Sequence, residues 1–243
     1  MDYSFLQCGE GALTVHLGDG IDPAINRRVT ALQGAIDSAG LRGITDLIPA
    51  YADLTVCYDC TVISAKALQR QLRRLLDSLS VAGQDRRRVF RLPVCYGGDY
   101  GPDLDFVCRH SGLSAQEVIE LHSAPDYLIY MLGFLPGFAY LGGLDPRLHT
   151  PRLDSPRTCI PAGSVGIGGA QTGVYPLASP GGWQLLGRTP VSVFDRQRQE
   201  PILYRAGDLV HFVPISPAEY EEIARAVAAG TYTVQVEEVL VCD

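Results

Sequence analysis

One stretch of this chain, residues 131–190, is unusually rich in glycine and proline: it holds 12 Gly and 8 Pro among 60 residues. The two residue types together make up roughly 12% of an average protein. Proline removes a backbone hydrogen-bond donor and glycine weakens helices, so this composition argues against long helices here. We therefore predict short strands joined by tight turns, as in a small β-barrel.

The first 85 residues follow a different pattern, in which short apolar runs alternate with helical periodicity. Leu68, Leu72 and Leu76 share one face of a predicted helix, and Ser64 is placed to cap its N-terminus. The order strand, helix, strand, strand, helix predicts a small α+β sandwich over residues 1–85. Its predicted strands cover 12–17, 47–51 and 54–58, and its predicted helices cover 24–38 and 64–79.

A polar segment, GQDRRR at 83–88, is interpreted as a linker to a second domain over residues 89–230. A final strand within 231–243 is expected to pair with the barrel or with another chain. The overall prediction is an α+β protein. In the second domain, strands are predicted at 89–96, 127–131, 191–194 and 209–213, and helices at 103–110, 114–122 and 217–229.

Charge and composition exclude several classes of function. The net charge is −7, which disfavours nucleic acid as a partner because phosphate binding needs a basic surface. No run approaches the ~20 apolar residues of a membrane-spanning helix, and the N-terminus lacks the features of a secretory signal. Seven cysteines without an export signal favour reduced thiols and a cytoplasmic protein.

The glycine-rich stretch also concentrates arginine, with Arg147, Arg152, Arg157 and Arg188, while residues 155–194 contain no carboxylate. Arginine suits bidentate binding of carboxylate or phosphate. Aromatic residues alternate with these loops. The combination predicts a pocket for a small anionic ligand with an apolar or planar part. The aromatic residues are Tyr130, Phe134, Phe138, Tyr140, Tyr175 and Trp183.

Several long runs resemble the KipI family, also described as allophanate hydrolase subunit 1 or as the B subunit of 5-oxoprolinase. The resemblance covers nearly the whole chain. The matching runs are PVCYGGDYGPDL (93–104), GFLPGFAYLGGL (133–144), PRLDSPRTCIPAGSVGIGGAQTGVYP (151–176), SPGGWQLLGRTP (179–190) and GDLVHFVPI (207–215).

This resemblance implies an N-terminal α+β domain followed by a cyclophilin-like β-barrel. It implies one component of a 5-oxoprolinase that opens 5-oxo-L-proline to L-glutamate with ATP, together with a homologous C subunit (KipA-like) and an A subunit. ATP is expected to be used by the complex, and the single chain is expected to be inactive. Two alternatives stay open: a KipI-like inhibitor of a sensor histidine kinase, and a carboxyltransferase-type component of urea or allophanate metabolism.

Three residues are predicted to be catalytic. His122, at the end of a predicted helix, would be a general acid or base, and Arg157 and Arg188 would clamp the anion. No metal site is predicted. Residues expected to bind substrate, by aromatic walls, neutral hydrogen bonds or an exposed glycine-rich backbone, are Phe134, Pro136, Gly137, Phe138, Arg152, Gly168, Gly169, Gln171, Thr172, Tyr175 and Trp183.

Other chemistries fit the sequence less well. Ser164 lies in AGSVG, one residue from a nucleophile elbow, but no helix follows, and Asp208 and His211 would point to opposite faces of a strand. The pair Cys57 and Cys60 lacks the second pair that a structural zinc site needs.

Nucleotide and carboxyl-transfer motifs are also missing. The only lysine, Lys66, lies in SAKAL, so the sequence contains neither a Walker motif nor a biotin-acceptor motif. Cys159 and His149 lie in or near the arginine-rich loops, and ordinary structural roles are favoured for both.

Overall fold

The computed structural model describes residues 3–79 and 85–241. The chain divides into two compact units, Met1–Gln84 and Asp85–Asp243, and each has its own hydrophobic core. Among the described residues, no helix is both long and apolar enough to cross a membrane.

The N-terminal unit packs two helices against a four-stranded antiparallel sheet with the strand order β1-β2-β4-β3. Its elements agree closely with the predicted ones, except that β1 was not predicted. The elements are β1 Ser4–Cys8, β2 Ala12–His16, α1 Pro23–Ala39, β3 Ile44–Pro49, β4 Asp53–Tyr58 and α2 Ala65–Asp77.

Local chemistry explains why these elements begin and end where they do. The Ser64 side chain accepts a hydrogen bond from the backbone N–H of Ala67 at the start of α2, as predicted. In α1, Asp22 caps the N-terminus and Gly40 ends the helix in the left-handed conformation. Alternate residues of β4 are buried, so one face of the sheet meets both helices.

The C-terminal unit is a seven-stranded barrel with the strand order β12-β9-β10-β7-β6-β13-β5, closed by pairing of β12 with β5; β14 adds to the free part of β5. Its elements are β5 Asp85–Tyr96, α3 Leu104–Ser111, α4 Ala115–Ser123, β6 Asp126–Leu132, β7 Ala139–Gly142, β8 Arg157–Ile160, β9 Ser164–Gly168, β10 Gln171–Val174, β11 Ser179–Gly181, β12 Gln184–Arg188, β13 Leu209–Ile215, α5 Pro217–Ala228 and β14 Gln235–Val241.

The predicted linker is partly wrong. Gly83 and Gln84 lie outside the described residues, but Arg86–Arg88 belong to β5. Arg88 donates two hydrogen bonds to the carboxylate of Asp208, at 3.0 and 2.6 Å. The strand pairs with β13 on one side and β14 on the other, so charged residues that read as a linker are held in a sheet.

The predicted strand at 191–194 is also wrong. Val191 and Val193 are buried in the barrel core, but the segment is irregular and makes one isolated bridge, between Phe194 and Ile202. The Ser192 hydroxyl donates to the carbonyl of Phe194 at 2.6 Å, a local bond that competes with strand pairing. The spacing of the apolar residues therefore indicates that Val191 and Val193 are buried, but it does not indicate a strand.

Candidate functional site

Five aromatic rings gather in a cluster that is separate from the main core of the C-terminal unit. Phe138 lies at the centre, with edge-to-face contacts to Phe134, Tyr140, Tyr175 and Trp183 at ring-centroid distances of 5.6, 5.2, 5.5 and 5.5 Å. Phe138 precedes β7, Tyr175 follows β10 and Trp183 precedes β12. Edge-to-face packing of this kind holds each ring in a defined orientation.

The rings surround a cavity of about 140 Å³. Typical sites for drug-sized ligands have volumes of roughly 300–1,000 Å³, so this cavity suits a much smaller molecule. Its lining residues are Phe134, Phe138, Tyr140, Arg152, Tyr175, Gly181, Gly182 and Trp183.

Two glycines allow the rings to pack this tightly. A Cβ atom at Gly168 would lie 2.2 Å from Nε1 of Trp183, and one at Gly181 would lie 2.6 Å from the Tyr175 hydroxyl. Neither position can hold a side chain without displacing a ring of the cavity. These glycines therefore shape the site through close packing.

Arg152 supplies the positive charge of the cavity. Its guanidinium carbon lies 5.9 Å from the ring centroid of Trp183, and the side chain is exposed. Within residues 3–79 and 85–241, no carboxylate forms an ion pair with Arg152. An arginine over an aromatic ring and without an acidic partner is suited to meet an anionic ligand.

Arg157 lies next to the cavity but is held by protein groups. It donates to the Asp103 carboxylate at 2.6 Å and to the carbonyl of Trp183 at 3.3 Å. The second oxygen of Asp103 accepts the backbone N–H of Leu185 at 2.7 Å. Asp103 thereby links the start of α3 to β12. Because Arg157 binds both Asp103 and the carbonyl of Trp183, it holds the backbone around Trp183 in place.

Tyr175 is buried, and burial raises the pKa of its hydroxyl above the ordinary value of 10. The backbone of Trp183 and the charges of Arg152 and Arg157 act in the opposite direction. The net shift is upward, so the hydroxyl keeps its proton at neutral pH and can donate a hydrogen bond.

Arg188 does not line this cavity. It lies on β12 opposite Cys95 of β5, and its Nε donates to the carbonyl of Ala162 at 2.9 Å. The structure therefore separates the three arginines that were expected to bind the anionic ligand. Arg152 faces the cavity, Arg157 braces its backbone, and Arg188 lies where the barrel closes.

His122 and Thr172 lie in the barrel core. His122 is fully buried, its Nδ1 is 2.8 Å from the Tyr96 hydroxyl, and its Nε2 is 2.7 Å from the Thr172 hydroxyl. Its ring stacks on Phe212 at 4.9 Å. Burial lowers the pKa of His122 to about 3, so the ring is neutral at physiological pH. His122 is placed as a structural group, away from the cavity lining.

The remaining predicted residues surround the site without lining it. Pro136 is exposed in the loop before β7, and the carbonyl of Gly137 accepts the Tyr204 hydroxyl at 2.9 Å. Gln171 on β10 pairs with Gly168 on β9. Gly169 exchanges backbone hydrogen bonds with Thr150. The backbone of the GIGG run at 166–169 is thus hydrogen-bonded within the barrel, whereas it was expected to be exposed for substrate binding.

The serine and cysteine alternatives do not assemble. Ser164 is buried in β9, Asp208 binds Arg88, and His211 lies 2.8 Å from Asp126. Cys57 lies near the end of β4, and Cys60 follows in a turn, both as free thiols. Among the described residues, no group of three or more His, Cys, Asp or Glu side chains could hold a metal ion.

Sequence reasoning missed three residues that build the site, whereas Tyr140, one of the predicted aromatic residues, does line the cavity. Gly181 and Gly182 also line the cavity, and Asp103 holds Arg157. All three lie within the runs that carry the family resemblance. The pair of glycines before Trp183 was an available signal. The partnership of Asp103 with Arg157 was not, because 54 residues separate them.

Comparison with known proteins identifies the family of this chain. The family model described as carboxyltransferase domain, subdomain C and D, matches residues 3–204. The chain is 42% identical over 228 residues to the 5-oxoprolinase B subunit of Bacillus subtilis (strain 168), covering 90% of this chain and 95% of the relative. It is 47% identical over 208 residues to the 5-oxoprolinase B subunit of Escherichia coli O157:H7, covering 85% and 93%. The family resemblance noted from the sequence is therefore confirmed.

A solved structure supports the fold. The urea amidolyase of Kluyveromyces lactis superposes with a TM-score of 0.83 over 98% of this chain at 23% sequence identity. This chain spans only 16% of that longer protein, so the likeness concerns the fold of one part. Together with the observed elements it confirms the predicted α+β fold with a cyclophilin-like barrel.

Proposed function

The chain belongs to the family of the carboxyltransferase domain, subdomains C and D, and we propose that it is the B subunit of an ATP-dependent 5-oxoprolinase. The complex would convert 5-oxo-L-proline to L-glutamate, with a homologous C subunit and an A subunit as partners. The support is the identity of 42–47% to proteins named as the B subunit of 5-oxoprolinase, over nearly the full length of both.

The single observation that carries this proposal is the small aromatic cavity with Arg152 at its edge. 5-Oxoproline is a five-membered lactam with one carboxylate. The ring would pack against Phe138 and Trp183, and the carboxylate would meet the guanidinium of Arg152. The protonated hydroxyl of Tyr175 is suited to donate to the lactam carbonyl, which would hold the amide bond in a fixed orientation.

A nucleotide does not fit this cavity, because about 140 Å³ is well below the volume that larger ligands need. Lys66, the sole lysine, lies exposed on α2 of the N-terminal unit. The sequence also contains no Walker motif, and on this ground we propose that ATP binds another component of the complex. In this arrangement the present chain binds and orients 5-oxoproline and excludes water from the substrate ring, and it is inactive alone.

The experiment is co-expression with the A and C subunits, followed by an assay of ADP release that depends on 5-oxoproline. Arg152→Ala should lower kcat/KM by about tenfold, because a charge-assisted hydrogen bond contributes roughly 1.5 kcal/mol and each decade costs ~1.4 kcal/mol. Arg152→Lys should restore only part of this, since lysine lacks the planar fork.

Arg196→Ala is the matched control, because Arg196 is exposed in the same unit and does not line the cavity. Its kinetics should equal those of the wild type. An assembled complex without turnover of 5-oxoproline, or full activity of Arg152→Ala, would overturn the proposal. Turnover by the purified single chain would refute the assignment of ATP to another component.

A further inference from the structure

Phe134 has a backbone conformation that a bulky residue rarely adopts. Its φ is +62°, and it is the sole described non-glycine residue with a positive φ. The N–H of Leu135 donates to the carbonyl of Gly133 at 2.7 Å, which closes a three-residue γ-turn with Phe134 at its centre. The positive-φ form of this turn is rare and strained.

The surrounding loop holds Phe134 in this conformation. Gly133 donates to the carbonyl of Phe138 at 3.1 Å, and Phe138 donates to the carbonyl of Leu135 at 3.0 Å. The next glycine, Gly137, has a φ of +82°. Backbone strain of this kind persists where the neighbouring structure enforces it, and strained residues cluster at ligand clamps.

The strained residue also exposes its side chain at the cavity. Phe134 is 65% exposed, the largest exposure among the described large apolar residues, yet it lines the cavity and contacts Phe138 edge-on at 5.6 Å. The other four rings of the cluster are buried or half-buried. The ring of Phe134 therefore forms one wall of the cavity and leaves much of its surface exposed, where a ligand could contact it.

We propose that Phe134 is the specificity-determining residue of this cavity: its ring covers the ring of a bound carboxylic acid and so selects cyclic over acyclic acids. This deepens the proposed function and rests on it for the substrate class. The contact would bury part of the exposed ring, so binding would offset the cost of the strained turn. Arg152 would hold the carboxylate of either class of acid, and Phe134 would add affinity only for those with a ring.

The chain contains its own probe, because Trp183 is the sole tryptophan and lines the cavity. The experiment titrates the purified chain with 5-oxoproline, cyclopentanecarboxylate and acetate, following Trp183 emission and its quenching by acrylamide. In the wild type, both ring acids should bind more tightly than acetate and should reduce quenching. Cyclopentanecarboxylate has a ring and a carboxylate but no lactam, so it isolates the role of Phe134.

Phe134→Ala and Phe134→Gly should weaken binding of both ring acids by about tenfold, the loss expected for one well-placed aromatic contact. They should leave acetate unchanged and should raise acrylamide quenching in the presence of a ring acid. Phe134→Gly should melt at a higher temperature than Phe134→Ala, because glycine adopts the positive φ without strain. Leu177→Ala, at an exposed apolar residue that does not line the cavity, is the control and should match the wild type.

The proposal is overturned if either Phe134 variant binds the ring acids within about twofold of the wild type, well short of the tenfold loss expected for an aromatic contact, or if no ring acid affects the wild-type emission. Tighter binding of cyclopentanecarboxylate than of 5-oxoproline, without turnover by the complex, would instead refute the proposed substrate. In that case the loss of cyclopentanecarboxylate affinity in the Phe134 variants would still support the role of this residue.

Discussion

Replacing His122 with glutamine should make the C-terminal unit less sensitive to mild acid. In the folded chain the pKa of His122 is about 3, against 6.5 for the ordinary side chain, because the ring is fully buried. The unfolded chain therefore binds a proton more readily. A depressed folded pKa gives stability that is present above pH 6.5 and is lost as the pH falls toward 3.

The magnitude follows from this shift. Between about pH 7 and pH 5 the His122 side chain becomes protonated in the unfolded state and stays neutral in the folded state. The unfolded state therefore gains stability over the ~1.5 pH units between the ordinary pKa and pH 5. At roughly 1.36 kcal/mol per unit, His122 alone should lower the free energy of unfolding by about 2 kcal/mol over that interval. His122→Gln has no titratable group at this position, so this pH-dependent decrease is absent from the variant regardless of its stability at neutral pH.

Urea denaturation at about pH 7 and about pH 5 would measure the effect, with Trp183 emission reporting on the C-terminal unit alone. The pH-dependent loss should be about 2 kcal/mol smaller in His122→Gln than in the wild type. His149→Gln, at an exposed histidine, should behave as the wild type. Equal losses in wild type and His122→Gln would show that His122 titrates freely, and the assignment of a neutral core residue would be wrong.

Two further variants test the packing around the cavity. Asp103→Ala should lower the free energy of unfolding by about 2 kcal/mol in urea, because it leaves the half-buried Arg157 without its carboxylate partner and the N–H of Leu185 without its acceptor. A loss below about 0.5 kcal/mol, which is the size of an ordinary surface effect, would contradict this. Gly181→Ala should cost about 1–3 kcal/mol by forcing a methyl group against Tyr175, whereas Gly182→Ala, whose added Cβ would have its nearest neighbours at 3.7 Å, should be nearly silent in thermal melts. Equal melting temperatures for the two glycine variants would refute the close-packing argument.

The sequence by itself determined the elements whose signals are local. The leucine spacing of α2 and the cap at Ser64 lie within one helix, and they predicted it closely. The aromatic residues of the cavity were also predicted, because Phe134, Phe138, Tyr175 and Trp183 lie in one stretch whose glycine and aromatic content is visible in the sequence. The contacts between the two ends of that stretch depend on the strand pairing of the barrel. Short-range patterns suffice for α2, where the residues that interact are close along the chain.

Tertiary structure decided the roles of the charged and titratable residues. Arg157 and Arg188 looked equivalent in sequence, but Asp103 neutralises one, and the strand pairing of β12 carries the other to the closure of the barrel. His122 ends a helix, as predicted, yet its contacts with Tyr96 and Thr172 place it in the core. A side chain's charge state depends on solvent exclusion and on partners from distant strands, and neither quantity is encoded in local spacing.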